Sequence, residues 1–154
     1  MRFLPLILTL FWMAPPLAAE TGLPLPRFVS LGAEEVNLRT GPGLRYPVAW
    51  VFVREDMPVE IVAEFEQWRR VRDFEGAEGW VHKAMLSGTR TVLVLGDGRP
   101  LRARPDPASR VLARAEARVQ GRLHSCRSVW CEVTLHSYRG WMQRTYLWGV
   151  YPEE

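Results

Sequence analysis

Between residues 124 and 136 the chain brings together His124, Cys126, Cys131 and His136, side chains suited to holding zinc or to making a thiolate nucleophile. Their His-x-Cys-x4-Cys-x4-His spacing matches no familiar finger or knuckle. A nucleophile needs a free, partly buried thiol beside an imidazole. These are the only two cysteines in the chain, and the four residues between them can turn a hairpin. That would bring two facing strand positions within disulfide distance. In an oxidising compartment so close a pair is read first as a disulfide, Cys126 to Cys131, and no metal or cofactor is assigned. A loop this short gives about 2 kcal/mol, enough to pin a hairpin rather than hold a fold.

The carboxylates offer little more. Glu34 and Glu35, Glu55 and Asp56, Glu64 and Glu66, and Glu75 and Glu78 are close pairs in sequence. Hydrolysis needs two carboxylates about 5 to 9 Å apart across a cleft. These pairs fall in turns or on a strand face that reads as solvent-facing, and Glu64, Arg69, Arg72 and Asp73 read as a cross-strand charge network. No nucleophile elbow, Walker loop, His-Glu-x-x-His motif or dinucleotide fingerprint is present. The turn at Gly41, Pro42 and Gly43 is no phosphate cradle, because its proline removes an amide donor. An enzyme is not expected.

Aromatic residues are the better binding candidates, since the chain has seven tryptophans. Trp68, Trp80, Trp130 and Trp141 recur at matched positions of an internal repeat and read as structural. Tyr46, Trp50 and Trp148 align with Ser109, Ala113 and Ser87, so they belong to one copy only. An aromatic that only one copy carries is a candidate for recognition. Tyr46 and Trp50 are expected side by side at the mouth of the first module, with Arg45 available to a carboxylate or phosphate. The alternative is that Pro47, Val48 and Trp50 only close the first core and that Trp148 covers the end of the second barrel.

The repeat that carries these residues is the main organising feature. Residues 27–48 lie over residues 90–111 without a gap, with six identical pairs that include Leu38 and Arg39 on Leu101 and Arg102. Trp68 and Val71 then match Trp130 and Val133 at a spacing of 62, and Gly79 and Trp80 match Gly140 and Trp141 at 61. A drifting offset is what small loop deletions between fixed strands produce. Strand-like segments, among them residues 28–31, 48–53 and 57–65, alternate with turns, and a single helical turn is expected at residues 82–86. The expectation is an all-β chain of two tandem small barrels, about five short strands each, at residues 27–88 and 90–149.

Residues 1–19 carry one basic side chain, an apolar stretch too short to span a bilayer, and a small-residue exit at Ala18 and Ala19. They read as a signal peptide cleaved after Ala19, which places the mature chain in the periplasm with no membrane span. Residues 20–95 then hold nine basic and eleven acidic side chains, and residues 96–154 hold ten and six. Such a split can let the two halves attract each other or let the second meet an anionic partner, and the plainer reading is a solvated surface of dispersed arginines. Lys83 is the only lysine, and the arginines are dispersed rather than clustered, which argues against a nucleic-acid partner.

The run from Val36 through Asn37, Leu38, Arg39, Thr40, Gly41 and Pro42 to Gly43 resembles the opening motif of bacterial SH3-like (SH3b) domains. Pro58 and Val59, Trp68 with Val71, Gly79 with Trp80 and Val81, and Leu86 continue the likeness. The second copy keeps Leu101, Arg102, Trp130, Val133, Gly140 and Trp141, and it replaces Gly41 and Gly43 with Arg104 and Asp106. The chain is similar to secreted tandem SH3-like proteins of Gram-negative bacteria. The resemblance implies a bent five-stranded barrel per module and a role in binding cell-wall material or protein partners. The function expected is a non-enzymatic periplasmic binding module for a peptidoglycan peptide or an envelope protein. The alternative is a regulatory or docking subunit of a wall hydrolase.

Overall fold

The computed structural model describes residues 20–154; the signal-peptide reading lies outside them. Two antiparallel sheets are built from strands β1 (Arg27–Leu31), β2 (Val36–Arg39), β3 (Val48–Phe52), β4 (Pro58–Phe65), β5 (Trp68–Arg72), β6 (Glu78–His82) and β7 (Leu86–Ser87), then β8 (Thr91–Val94), β9 (Arg99–Arg102), β10 (Val111–Ala115), β11 (Gln120–Arg127), β12 (Trp130–Leu135), β13 (Tyr138–Gln143) and β14 (Leu147–Trp148). The first sheet has the order β3-β2-β6-β5-β4-β1-β7, and the second repeats it as β10-β9-β13-β12-β11-β8-β14. A 3-10 turn precedes the last strand of each module, at Lys83–Met85 and Arg144–Tyr146.

The drift of the repeat has a structural cause. Strands β2 and β3 lie 63 residues before β9 and β10, β4 lies 62 before β11, and β7 lies 61 before β14. One residue is therefore lost between β3 and β4, and another between β5 and β6, both in turns. Even the irregularities are copied. The β4–β5 ladder slips between Ile61 and Ala63, and the β11–β12 ladder slips between Leu123 and Ser125, the equivalent place.

That bulge corrects the reading of β4 as a strand with a simple period of two. An extra residue reverses which side faces in. Val59 and Ile61 are core residues, but beyond the slip Glu64 is buried and Phe65 is 46% exposed. Glu64 is thus no solvent-facing carboxylate. Its side chain accepts from the Thr21 amide at 2.9 Å, the Thr21 hydroxyl at 2.8 Å and Arg27 Nη2 at 2.6 Å, with Arg69 Nε at 3.6 Å. Burial pushes the Glu64 carboxyl up, and the bonds from Thr21 and Arg27 outweigh it and hold the group at about 2. A lowered folded pKa means stability that is present above the ordinary value of 4.5 and lost as pH falls toward 2. Allowing for solvent around exposed Thr21, Glu64→Gln should cost on the order of 1 to 2 kcal/mol at neutral pH. Urea midpoints of both proteins should converge between about pH 4.5 and pH 2. A constant gap over that range would remove the carboxylate from the explanation.

The two modules pack on each other through β1 and β8. All four residues of β8 are buried: Val92 and Val94 enter the second core, while Leu93 joins the first, among Leu31, Phe52, Met57 and Val59. Thr91 Oγ1 donates to the carbonyl of Asp56 at 2.6 Å, and Gln120 Nε2 to that of Glu55 at 3.0 Å. Trp148 packs on the first core rather than closing the second barrel. Its Nε1–H donates to the Pro58 carbonyl at 3.3 Å, and its ring meets Phe28 edge to face at 5.1 Å. Tyr151, beyond the repeat, lies 4.7 Å from the Phe28 ring and donates its hydroxyl to Glu60 at 2.8 Å. Burial, reinforced by Glu60, raises the phenol above its ordinary pKa. Glu60 is buried, bonded by Tyr151 and by Arg72 of its own module. Gly149, with φ of +111°, lies against β8 of its own module, where a Cβ would stand 2.5 Å from the Thr91 carbonyl oxygen and 3.4 Å from Pro58 of the first module.

Charge attraction between the halves is a small part of this docking. Among the described residues the ion pair that crosses it, Arg118 to Glu75 at 2.7 Å, is more than half exposed on both sides. Such a pair contributes under about 1 kcal/mol. Apolar burial at β1, β8 and Trp148 holds the modules together.

Candidate functional site

Cys126 and Cys131 are bonded, face to face in the β11–β12 ladder. Cys131 is buried in the second core, and the bond closes the hairpin as its spacing predicts. His124 and His136 take no part in it. The His124 Nε2 is hydrogen-bonded to Thr134 Oγ1 at 2.8 Å, and among the described residues no group of His, Cys, Asp or Glu is placed to hold a metal ion.

The other sequence candidates separate into two places on the first module. Residues 41–47 form a compact loop in which the Tyr46 ring lies flat on Gly41. A Cβ at Gly41 would stand 2.4 Å from the ring, so only glycine fits beneath it. The second module carries Arg104 and Ser109 at these two positions, and loses glycine and ring together. Arg45 stacks on Tyr46 at 5.0 Å and donates to its hydroxyl at 3.1 Å. Arg39 Nη1 donates to the Tyr46 carbonyl at 2.8 Å, tying the loop to β2. Trp50 makes no ring contact with Tyr46 among the described residues. It stands 62% exposed on β3 and borders a different recess with Phe52, Met57, Phe74 and Leu93.

Below the loop lies a groove of about 190 Å³ lined by Glu35, Asn37, Arg39, Leu44, Trp68, His82 and Met85. Sequence reasoning missed it because its walls come from β2, β5, β6 and the 3-10 turn. Leu44, exposed at the loop tip, Trp68 and Met85 give it an apolar floor and rim. His82 meets the Trp68 ring edge-on at 5.3 Å, and its Nδ1 accepts from the Ala84 amide at 3.2 Å. The neutral ring therefore carries its proton on Nε2, free to donate. Glu35, Asn37 and Arg39 add an acceptor, an amide and a cation. A short extended peptide needs this combination: an apolar slot for one side chain, with donors and acceptors for its backbone and ends.

Trp68, Trp80, Trp130 and Trp141 sit at equivalent strand positions. Trp68 and Trp130 are each only 8% exposed, whereas Trp80 and Trp141 are half-buried, Trp141 under the Arg127 guanidinium at 5.1 Å. The counterpart of the groove in the second module has Gly98, Pro100, Pro107 and Gln143 in place of Glu35, Asn37, Leu44 and His82. Tyr146 replaces Met85, and the Arg99 guanidinium lies over it at 4.2 Å. Arg102 keeps the place of Arg39, but Glu35, Asn37 and His82 belong to the first module alone.

A larger recess, about 430 Å³, lies between the modules and is lined by Asp56, Thr89, Thr91, Gln120, Arg122, Thr134 and His136. It has no apolar floor, and Thr91, Gln120 and Thr134 already have protein partners. The smaller groove is the better site on chemical grounds.

Among the described residues no helix is long and apolar enough to cross a membrane. No curated protein matches the sequence. Solved structures similar to the chain include NlpC2 and NlpC1 from Trichomonas vaginalis, each at 15% identity and a TM-score of 0.37. The matches cover 80% and 88% of this chain but 48% and 50% of those proteins, so the chain spans about half their length. The model of the bacterial SH3 domain matches twice, at residues 32–88 and 96–149. With that match over most of its length and one strand order repeated in both sheets, the chain belongs to the bacterial SH3 domain family, as a tandem pair.

Proposed function

We propose that this chain is a non-enzymatic, exported binding protein of the periplasm. Its first module takes a short extended peptide, from a peptidoglycan stem or an envelope protein, in the groove between the 41–47 loop and Trp68. The observation that carries this reading is the groove's mixed lining, apolar at Leu44, Trp68 and Met85 and polar at Glu35, Arg39 and His82. The Cys126–Cys131 bond suits an oxidising compartment. Arg45 and Tyr46 serve the site by holding the loop, and Arg39 joins loop to groove. Trp50 lies outside it.

Calorimetric titration of muropeptides and of envelope extract fractions into the mature protein tests the reading. Leu44→Ala/His82→Ala should weaken binding at least about tenfold, a change of 1.4 kcal/mol, with the melting temperature kept. Val129→Ala, an exposed site on the second module, should bind as the wild type does. Full affinity in the folded double variant would place the site elsewhere.

A further inference from the structure

Strand β3 is the free edge of the first sheet, and it is unguarded. Val48, Trp50, Val51 and Val53 are all exposed, Val53 by 75%, and no charge interrupts residues 46–53. An exposed apolar edge is a template for strand addition, which chains commonly block with a charged residue. The second module shows that block on the same fold. At the position of Val51 it carries Arg114, whose guanidinium donates to the Gly98 carbonyl at 3.0 Å, and at the position of Val53 it carries Glu116.

We propose that β3 pairs with β3 of a second copy of this chain, antiparallel about a two-fold axis, to form a dimer with one continuous sheet. Charge at the two ends of the strand selects this occupant. Arg45 precedes β3 and Glu55 follows it, and among the described residues neither side chain has an ion-pair partner. A two-fold register centred on Trp50 sets Trp50 against Trp50 and Val48 against Phe52, and it brings the turn that carries Arg45 of each copy toward the turn that carries Glu55 of the other. Opposite charges and apolar rings across neighbouring strands stabilise a pair. Strand β3 contributes no lining residue to the peptide groove, and Val51→Arg touches neither the groove nor the 41–47 loop that Arg45 holds, so either idea stands if the other fails.

Sedimentation equilibrium of the mature chain, from low micromolar to near-millimolar concentration, should show monomer passing to dimer. Val51→Arg, a residue the equivalent place in the second module already accommodates, should stay monomeric with wild-type circular dichroism and melting. Arg45→Glu should weaken the dimer by about tenfold or more, and Arg45→Glu/Glu55→Arg should regain most of the loss. A wild type that stays monomeric throughout, bare or with a foreign strand on β3, overturns the proposal. So does a folded Val51→Arg protein that dimerises as tightly as the wild type.

Discussion

Trp68→Ala and Trp130→Ala should each lower the free energy of unfolding by about 3 kcal/mol, the low end for removing a buried aromatic. Each indole is 8% exposed at the first residue of the strand returning from a two-residue hairpin, opposite Phe65 in one module and Arg127 in the other. Neither belongs to the aliphatic cluster at the centre of its barrel, which argues against the upper end of the range. Chemical denaturation at neutral pH measures both. Equivalent places in a repeated fold should give similar losses, and a cost well under 1 kcal/mol in both would mean that the rings are replaceable cover.

Removing the contact between modules should be as costly and should also change the shape of the transition. Trp148→Ala deletes an indole that packs on the first core, bonds the Pro58 carbonyl and meets Phe28. We expect a loss of about 2 to 4 kcal/mol, the cost of a large side chain taken from a packed site, with a hydrogen bond included. Tyr151→Phe should add about 1 kcal/mol by leaving buried Glu60 one partner short, although Arg72 still bonds it at 3.0 Å. Each module alone is small, so docking is needed for both to unfold as one unit. The wild type should show one urea transition by fluorescence and circular dichroism, and Trp148→Ala a broader or divided one. A single, equally steep transition with little loss would mean that Trp148 is not what couples the modules.

The tandem barrels and the disulfide were legible in the sequence because both rest on local spacing. The offset falling from 63 to 61 marks the two turns that lost a residue, and four residues between cysteines fit one hairpin. The run from Thr91 to Val94 also carries a signal of the docking. A strand without polar alternation is buried on both faces, and here the second face meets the other module. What was not legible depends on contacts between distant segments. The bulge after Ile61 reverses the faces of β4 and turns Glu64 inward, and nothing in the alternation announces it. The sequence offers Trp148 either for recognition or as the cover of its own barrel, and the docking that it serves leaves no periodic trace. The groove gathers residues from four elements, and only the barrel's curvature brings Glu35 and Met85 to one slot. The sequence argument from asymmetry points to the same module as the proposed groove, but its residues Arg45, Tyr46 and Trp50 are not among those that line it.

The claim that the first module alone carries the peptide groove is tested most directly by amide-resolved NMR. The mature chain, labelled with nitrogen-15, would be titrated with soluble wall peptides and with the peptide fraction of an envelope digest. The account predicts shifts concentrated at Leu44, Trp68, His82 and Met85, including the indole N–H of Trp68, with Trp130, Gln143 and Tyr146 unmoved. Shifts confined to those second-module residues or to β3, or an unchanged spectrum with every fraction, would contradict it.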